Sequence, residues 1–228
     1  MRVVVLTGAG ISAESGVLTF RDSGGLWEGH DVEDVATPEG FARDPELVQR
    51  FYDARRRAVA GVEPNPAHRA LVTLEEALGD ELLVVTQNVD DLHELAGLRR
   101  VVHMHGELRR ALCQACGSRP EWEADLVDLP PCPVCGRRAL RPDVVWFGEV
   151  PYELERIDRA VRACDLFVAV GTSGAVYPAA GYVALAASSG ARTLELNLEP
   201  SEVSRYFDEV RTGPAAQLVP QWVAEFLS

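Results

Sequence analysis

The chain has 228 residues, 47% of them apolar, enough for one good core or for a core with a small appended module. A formal net charge of −13 argues against nucleic acid as a partner and leaves basic peptides as one that long-range attraction would favour. Met1 leads straight into the first apolar run and no apolar stretch reaches membrane-spanning length, so a cytoplasmic location with no leader and no membrane association is expected.

In chain order, Val3-Leu6 reads as a buried parallel strand. It is followed by Gly8-Ala9-Gly10-Ile11-Ser12-Ala13, a fit to the G-x-G-x-x-G/A turn that sets a pyrophosphate on a helix N-terminus. Gly16 cuts the expected helix short, and the loop beyond it, with Phe20-Arg21-Asp22 and Gly24-Gly25, delivers no second strand ending in an acidic residue. That departure counts against a conventional NAD-dependent dehydrogenase. The stretch 27–79 holds no predicted strand and reads as helices starting near Pro38, Pro45 and Pro66, where proline's fixed φ suits a first turn. Further β-rich runs at Leu82-Thr86, Arg100-Met104, Pro142-Val145, Leu166-Val170 and Thr193-Leu196 alternate with helical spacing, which predicts an α/β fold with a doubly wound, Rossmann-like parallel sheet. The stretch 108–140 is rich in Cys, Gly and Pro. The expected organisation is a discontinuous Rossmann-like domain of residues 1–26, 80–107 and 141–228, beside a smaller domain made of a helical module, 27–79, and a zinc ribbon, 108–140.

Several predicted strands end in polar or small residues, where ligands of open α/β sheets collect. Gly171-Thr172-Ser173-Gly174 follows one strand and Asn197-Leu198-Glu199 another. Gln87, Asn88 and Asp90 follow a third; they suit ribose hydroxyls or an amide, or else cap the short helix near Leu92. His103 and His105 share one strand face. His105, at the strand's end against Gly106, is the catalytic candidate, because an imidazole titrates where a general base is useful, whereas His103, His68 and His30 read as structural. Cys113/Cys116 and Cys132/Cys135 are two C-x-x-C pairs fifteen residues apart, each followed by glycine. Four thiolates at that spacing close a tetrahedron around Zn2+ and leave no open position, so the metal is structural; free or disulfide-bonded thiols are the alternative. Cys164 reads as a small buried hydrophobe. A zinc-ribbon binding module without catalysis is a rival to an enzyme, and the net acidity and polar strand ends count against it.

The stretches GAGISAESGVLTFR, TQNVDDLH, HMHGEL, the two CxxC pairs, RPDVVWFGE, GTSGAVYP and NLEP span nearly the whole chain in order. Together they resemble the sirtuins, the NAD-dependent protein-lysine deacylases, and within them the bacterial type with a tyrosine-arginine desuccinylase and demalonylase motif. The resemblance implies that NAD is consumed as a co-substrate, that one Zn2+ is structural and that the partners are acylated-lysine proteins or peptides. It implies that Gly8, Ala9, Gly10 and Ser12 hold the phosphates, with Phe20 and Arg21 over the nicotinamide ribose. Gln87, Asn88 and Asp90 would surround nicotinamide and that ribose, and Gly171, Ser173, Asn197 and Ala215 would contact the adenosine side. The peptide would be clamped as an added strand by residues 144–149, among them Val144, Phe147 and Gly148, and by residues 174–177. The amide oxygen of the acyl-lysine would attack the anomeric carbon and expel nicotinamide, after which His105 as general base would take a proton from a ribose hydroxyl. Tyr52 and Arg55 of FYDARRR stand at i and i+3 on one helix face and match the residues of sirtuins that remove succinyl or malonyl groups. A guanidinium forks onto a carboxylate and a phenol adds a third donor, while Ala36 aligns with a small residue that leaves room for the longer acyl group. A solvated basic helix is the alternative, since Arg56 and Arg57 adjoin.

Overall fold

The computed structural model describes residues 1–18, 26–27 and 29–228. Its elements in chain order begin with β1 (Val3–Thr7), the short ribbon β2 (Leu26–Trp27) and β3 (His30–Asp31), and the helices α1 (Val32–Val35), α2 (Pro38–Arg43), α3 (Pro45–Val59) and α4 (Pro66–Leu78). Then follow β4 (Leu82–Thr86), α5 (Leu92–Ala96), β5 (Val101–His103), β6 (Gly106–Cys113), β7 (Leu140–Val144) and α6 (Leu154–Ala163). The chain ends with β8 (Leu166–Val170), α7 (Tyr182–Ser188), β9 (Arg192–Asn197), β10 (Glu209–Thr212) and α8 (Ala215–Leu227). The three predicted proline starts are helix starts. Thr37, Asp44 and Asn65 cap α2, α3 and α4 by accepting the backbone N–H of Gly40, Leu47 and Ala67.

Six strands form one parallel sheet in the order β10-β9-β8-β1-β4-β5. β1 is buried along its whole length, as a central strand covered on both faces must be. Its alternate residues serve two cores: Val3 and Val5 meet α4 and α8 through Leu71, Leu74, Val219 and Trp222, whereas Val4 and Leu6 meet α6 and α7 through Ile157, Val161, Val183 and Ala186.

Four features differ from the sequence expectation, the first being that the stretch 27–79, read as free of strands, contains β3, which pairs antiparallel with β2. The run Pro142-Val145 does not join the parallel sheet; its first three residues fall on β7, which pairs antiparallel with β6 in a separate two-stranded sheet. The Cys-rich segment joining β6 to β7 contains no helix, and a parallel return would need such a crossover. Helix α4 lies on the parallel sheet, because Ala67, Leu71 and Leu74 bury against β1 and β4 rather than among the other helices of 27–79. The edge strand β10 is largely exposed and carries no apolar run, so nothing in its composition announced it.

Helices α1 to α3 form their own core with the end of β7: Val35, Ala36, Val48, Phe51, Tyr52, Leu108, Val144 and Trp146. The cysteine segment adds another, built on Ala111, Cys113, Leu126, Cys132 and Leu140. Asp53 and Arg56 of α3 join the two. Arg56 donates to the Leu108 carbonyl (2.7 Å) and to Asp53 (2.8 Å), while the Asp53 carboxylate accepts the N–H groups of Leu126 (2.9 Å) and Val127 (3.1 Å). The basic run of α3 is therefore no solvated face: Arg55 and Arg56 are buried, and only Arg57 lies outside, paired with Asp125. Among the described residues no helix is long and apolar enough to cross a membrane.

Candidate active site

The chain leaving β1 lies directly on the chain leaving β8. Gly8 N–H donates to the Val170 carbonyl (2.9 Å) and Gly10 N–H to that of Gly171 (2.8 Å). A Cβ on Gly8 would stand 2.8 Å from the Gly171 oxygen and one on Gly10 2.7 Å from the Gly171 Cα, so glycine is required by packing as well as by any ligand. Gln87 ties a third strand end to these two: its N–H donates to the Thr7 carbonyl (2.9 Å) and its Nε2 to the Thr172 hydroxyl (3.0 Å). Asn197, ending β9, donates to the Thr172 carbonyl (2.7 Å). The Ser173 carbonyl accepts Glu202 N–H (3.1 Å), and the buried Glu195 carboxylate holds the following loop through Ser201 N–H (3.0 Å) and the Ser204 hydroxyl. Ala215 opens α8, where Ala216 N–H donates to Glu14 (2.7 Å), which brings this helix start to the segment following Ala9-Gly10.

Beneath the turns lies a buried polar chain whose direction the backbone sets. Asn65 N–H donates to His68 Nδ1 (3.3 Å), so the neutral ring carries its hydrogen on Nε2, facing the Ser12 hydroxyl at 3.5 Å. Ser12 accepts from Asn88 Nδ2 (3.1 Å) and donates to Asp90 Oδ2 (3.1 Å). Asp90 Oδ1 accepts Leu92 N–H (3.2 Å), so this carboxylate caps α5 and faces the Ser12 cluster at once. His93 Nε2 meets the Thr7 hydroxyl (3.0 Å), its ring edge-on to His68 at 5.1 Å. Burial, helped by Arg69, lowers the His68 pKa to about 4, and burial holds His93 well below its usual range. Burial also raises the Asp90 carboxyl, against the hydrogen bonds from Leu92 and Ser12.

The two histidines at the end of β5 divide their roles. His105 Nδ1 lies 3.1 Å from the Gln87 carbonyl, which can only accept, so Nδ1 carries the hydrogen and Nε2 the lone pair. Burial lowers its pKa, the Gln87 carbonyl working the other way, which favours a neutral ring near pH 7. His103 instead spends both nitrogens, Nδ1 on the Asn88 carbonyl (3.2 Å) and Nε2 on Glu94 (2.8 Å). Burial, the largest single influence, lowers its pKa too, but Glu94, Glu107 and the Asn88 carbonyl together outweigh it and the net shift is upward.

The acyl-side candidates meet in the core of α1 to α3. The Tyr52 hydroxyl accepts Trp146 Nε1–H (3.1 Å), and burial raises its pKa, so it stays a phenol. The buried Arg55 guanidinium lies 5.8 Å over the Phe51 ring. Ala36 is buried, and its carbonyl accepts Phe147 N–H (2.9 Å), which seats the loop after Val144 beside it. Phe147 is half exposed, and Gly148 takes φ +90° in the turn. Glu149 closes that turn by accepting Trp146 N–H (2.9 Å) and Arg141 (2.7 Å), whose guanidinium stacks 3.9 Å over the Trp146 ring.

The four predicted cysteines converge, every Sγ within 4.8 Å of every other. Cys113 to Cys135 is 3.7 Å and Cys116 to Cys132 is 3.9 Å, against about 3.8 Å for the edge of a ZnS4 tetrahedron with bonds of about 2.3 Å. They are positioned to bind one zinc ion. Phe20 and Arg21 lie outside the described residues. The sequence reading gave Arg141 no role, although it lies in RPDVVWFGE, and its structural reading of His68 agrees with that ring's place in the capping box of α4.

The chain belongs to the Sir2 family, whose model matches residues 8–178. It is 55% identical over 230 residues to a protein of Pasteurella multocida named NAD-dependent protein deacylase, covering 100% of this chain and 98% of that one. An Escherichia coli K12 protein of the same name is 56% identical, with 99% and 82% covered. Among solved structures, a Sir2 homologue in complex with NAD has 40% identity and a TM-score of 0.89, over 100% of this chain and 91% of that one. A Sir2 homologue variant in complex with ADP-ribose also has 40% identity, with a TM-score of 0.90 over 98% and 91%.

Protein purified without chelators should contain one zinc per chain by elemental analysis, and stripping the metal should unfold the cysteine segment while the parallel sheet keeps its circular dichroism signal. The neutral His68 makes a pH prediction. Its folded pKa lies below the ordinary 6.5, so its contribution to stability is complete above about pH 6.5 and is lost as pH falls towards about 4. Urea titrations should show wild type losing about 3 kcal/mol more than His68→Gln across that window, Asp90's opposite contribution being common to both.

Proposed function

We propose that this chain removes acetyl, succinyl and malonyl groups from protein lysines, consuming NAD and yielding nicotinamide and O-acyl-ADP-ribose. Sir2 family membership and relatives named NAD-dependent protein deacylase support the deacylase activity itself. The observation that carries the mechanism is the His105 tautomer: with Nδ1–H donated to Gln87, the neutral ring presents Nε2 as a base beside the polar strand ends. NAD, when bound, supplies the ribose that accepts the acyl group and a nicotinamide leaving group. Gly8, Ala9, Gly10 and Ser12 would hold its phosphates, Gln87, Asn88 and Asp90 would surround nicotinamide and its ribose, Gly171, Ser173, Asn197 and Ala215 would contact the adenosine side, and the family resemblance assigns Phe20 and Arg21 to the nicotinamide ribose. An amide oxygen is a weak nucleophile, so the loop Val144 to Gly148 must hold the acyl-lysine in line and keep water out. His105 then removes the ribose hydroxyl proton, which lets that oxygen take the acyl group. The reading includes a Rossmann-like domain for NAD beside a smaller zinc-bearing one, a cytoplasmic location, and acylated proteins as partners rather than nucleic acid or membrane, in keeping with the charge of −13.

Acyl choice rests on Tyr52, Arg55 and Ala36. A succinyl carboxylate sheds water on entering a buried channel, and only strong donors offset that cost. Arg55 and Tyr52 are such donors, both on α3 and both buried, with the small Ala36 in the same core.

His105→Ala should nearly abolish product formation while NAD binding, followed by calorimetry, stays close to that of wild type. Undiminished turnover would move the base elsewhere. Arg55→Met should lower kcat/KM on a succinyl-lysine peptide by on the order of a hundredfold, the equivalent of about 2–3 kcal/mol for a charge-assisted hydrogen bond. The matched acetyl-lysine peptide should change far less in the same mass-spectrometric assay. An equal fall on both substrates would make Arg55 a residue of the fold and the protein a plain deacetylase.

A further inference from the structure

We propose that Arg119, Asp143 and Tyr152 are positioning residues that tie the four-cysteine segment to the turn carrying His105, an inference that rests on the reading of His105 as the base. Asp143 is fully buried in β7, and its carboxylate accepts from Arg119 Nε (2.7 Å) and from the Tyr152 hydroxyl (2.8 Å). The Arg119 guanidinium also stacks 3.9 Å over the Tyr152 ring, which closes a three-way contact.

Each end of this contact is anchored. Arg119 is set by the cysteine segment: Cys113 N–H donates to the Ser118 carbonyl (2.9 Å) and Ala111 N–H to that of Pro120 (3.0 Å), one on either side of it. The Ser118 hydroxyl lies against the Sγ of Cys116 (3.1 Å) and of Cys132 (3.3 Å), so the thiolate cluster fixes the register from which Arg119 projects. At the other end, Tyr152 N–H donates to the Met104 carbonyl (2.9 Å) and Val145 N–H to that of His105 (2.8 Å). Both carbonyls of the two-residue turn between β5 and β6 are thereby held by residues that Asp143 fixes, one through its side chain and one through the strand. Gly106, next after His105, has φ +84° and backs so closely onto the Asp143 carbonyl that no side chain would fit.

A carboxylate buried this deeply is tolerable only with its cation and hydrogen bonds in place, so the pair has one good arrangement, and β7, Tyr152 and the turn share it. The cysteine segment thus reaches His105 without contributing an atom to the reaction.

The test uses the full-length, zinc-loaded enzyme with NAD and an acetyl-lysine peptide. Arg119→Met should lower turnover on the order of tenfold to a hundredfold, the scale of a small misplacement of a reacting group. Its zinc content should match wild type. Exchange of labelled nicotinamide into NAD, which reports the bond-breaking step before His105 acts, should stay near the wild-type rate. Arg119→Lys, which keeps a cation beside Asp143, should recover most of the turnover. Wild-type turnover in Arg119→Met overturns the proposal, and so does an equal loss of exchange and turnover, which marks a general failure of the fold. His105→Ala runs alongside: if it keeps full turnover, the base reading fails and this proposal fails with it, whereas its loss beside an unaffected Arg119→Met removes this proposal alone.

Discussion

The backbones leaving β1 and β8 touch, and the contact admits no side chain at Gly8, Gly10 or Gly171. Everything polar above the sheet depends on that closeness. Because the two central strands end together, Gln87 can span from the Thr7 carbonyl to Thr172, and Thr172 can in turn receive Asn197 from β9. A methyl group at any of the three glycines would part the turns and break these bridges, since the opposing atoms are backbone and cannot rotate away.

The layer beneath is polar and buried, an expensive combination wherever a group lacks a partner, as His93 Nδ1 does among the described residues. The chain meets the cost by keeping His68 and His93 neutral and by giving the hydrogen bonds one direction, from Asn65 through His68 and Ser12 to Asp90. Ser12 is thereby a fixed oxygen rather than a rotating hydroxyl. Preorganisation of this kind lets a site hold a bound ribose or phosphate without first ordering itself.

His105 stands at the seam between two sheets. The parallel sheet holds its ring through the Gln87 carbonyl, and the antiparallel pair holds its backbone through Val145 N–H. A second joint, the buried Asp53 and Arg56, fastens α3 to the cysteine segment, so Tyr52 and Arg55 share a rigid frame with the loop that begins at Val144. Two cores of different composition therefore converge on one small region.

Much of this was legible in the chain itself. Apolar runs marked the strands of the parallel sheet except β10, prolines marked the starts of α2, α3 and α4, and the cysteine spacing marked the zinc site, because each signal rests on short-range physics: period, fixed φ, thiolate geometry. The motif residues also marked strand ends that the fold brings together. Partners were not legible. No local pattern says that β7 pairs with β6, that α4 covers the parallel sheet, or that Trp146 lies beside Tyr52. Nor does a sequence reveal a tautomer: only the carbonyl of Gln87 and the carboxylate of Glu94, brought from elsewhere, leave His105 with a lone pair on Nε2 and make His103 half of an ion pair. The sequence determined the elements and the chemistry available to them; the tertiary structure decided which groups meet, because burial and hydrogen bonding act between residues that the chain keeps far apart.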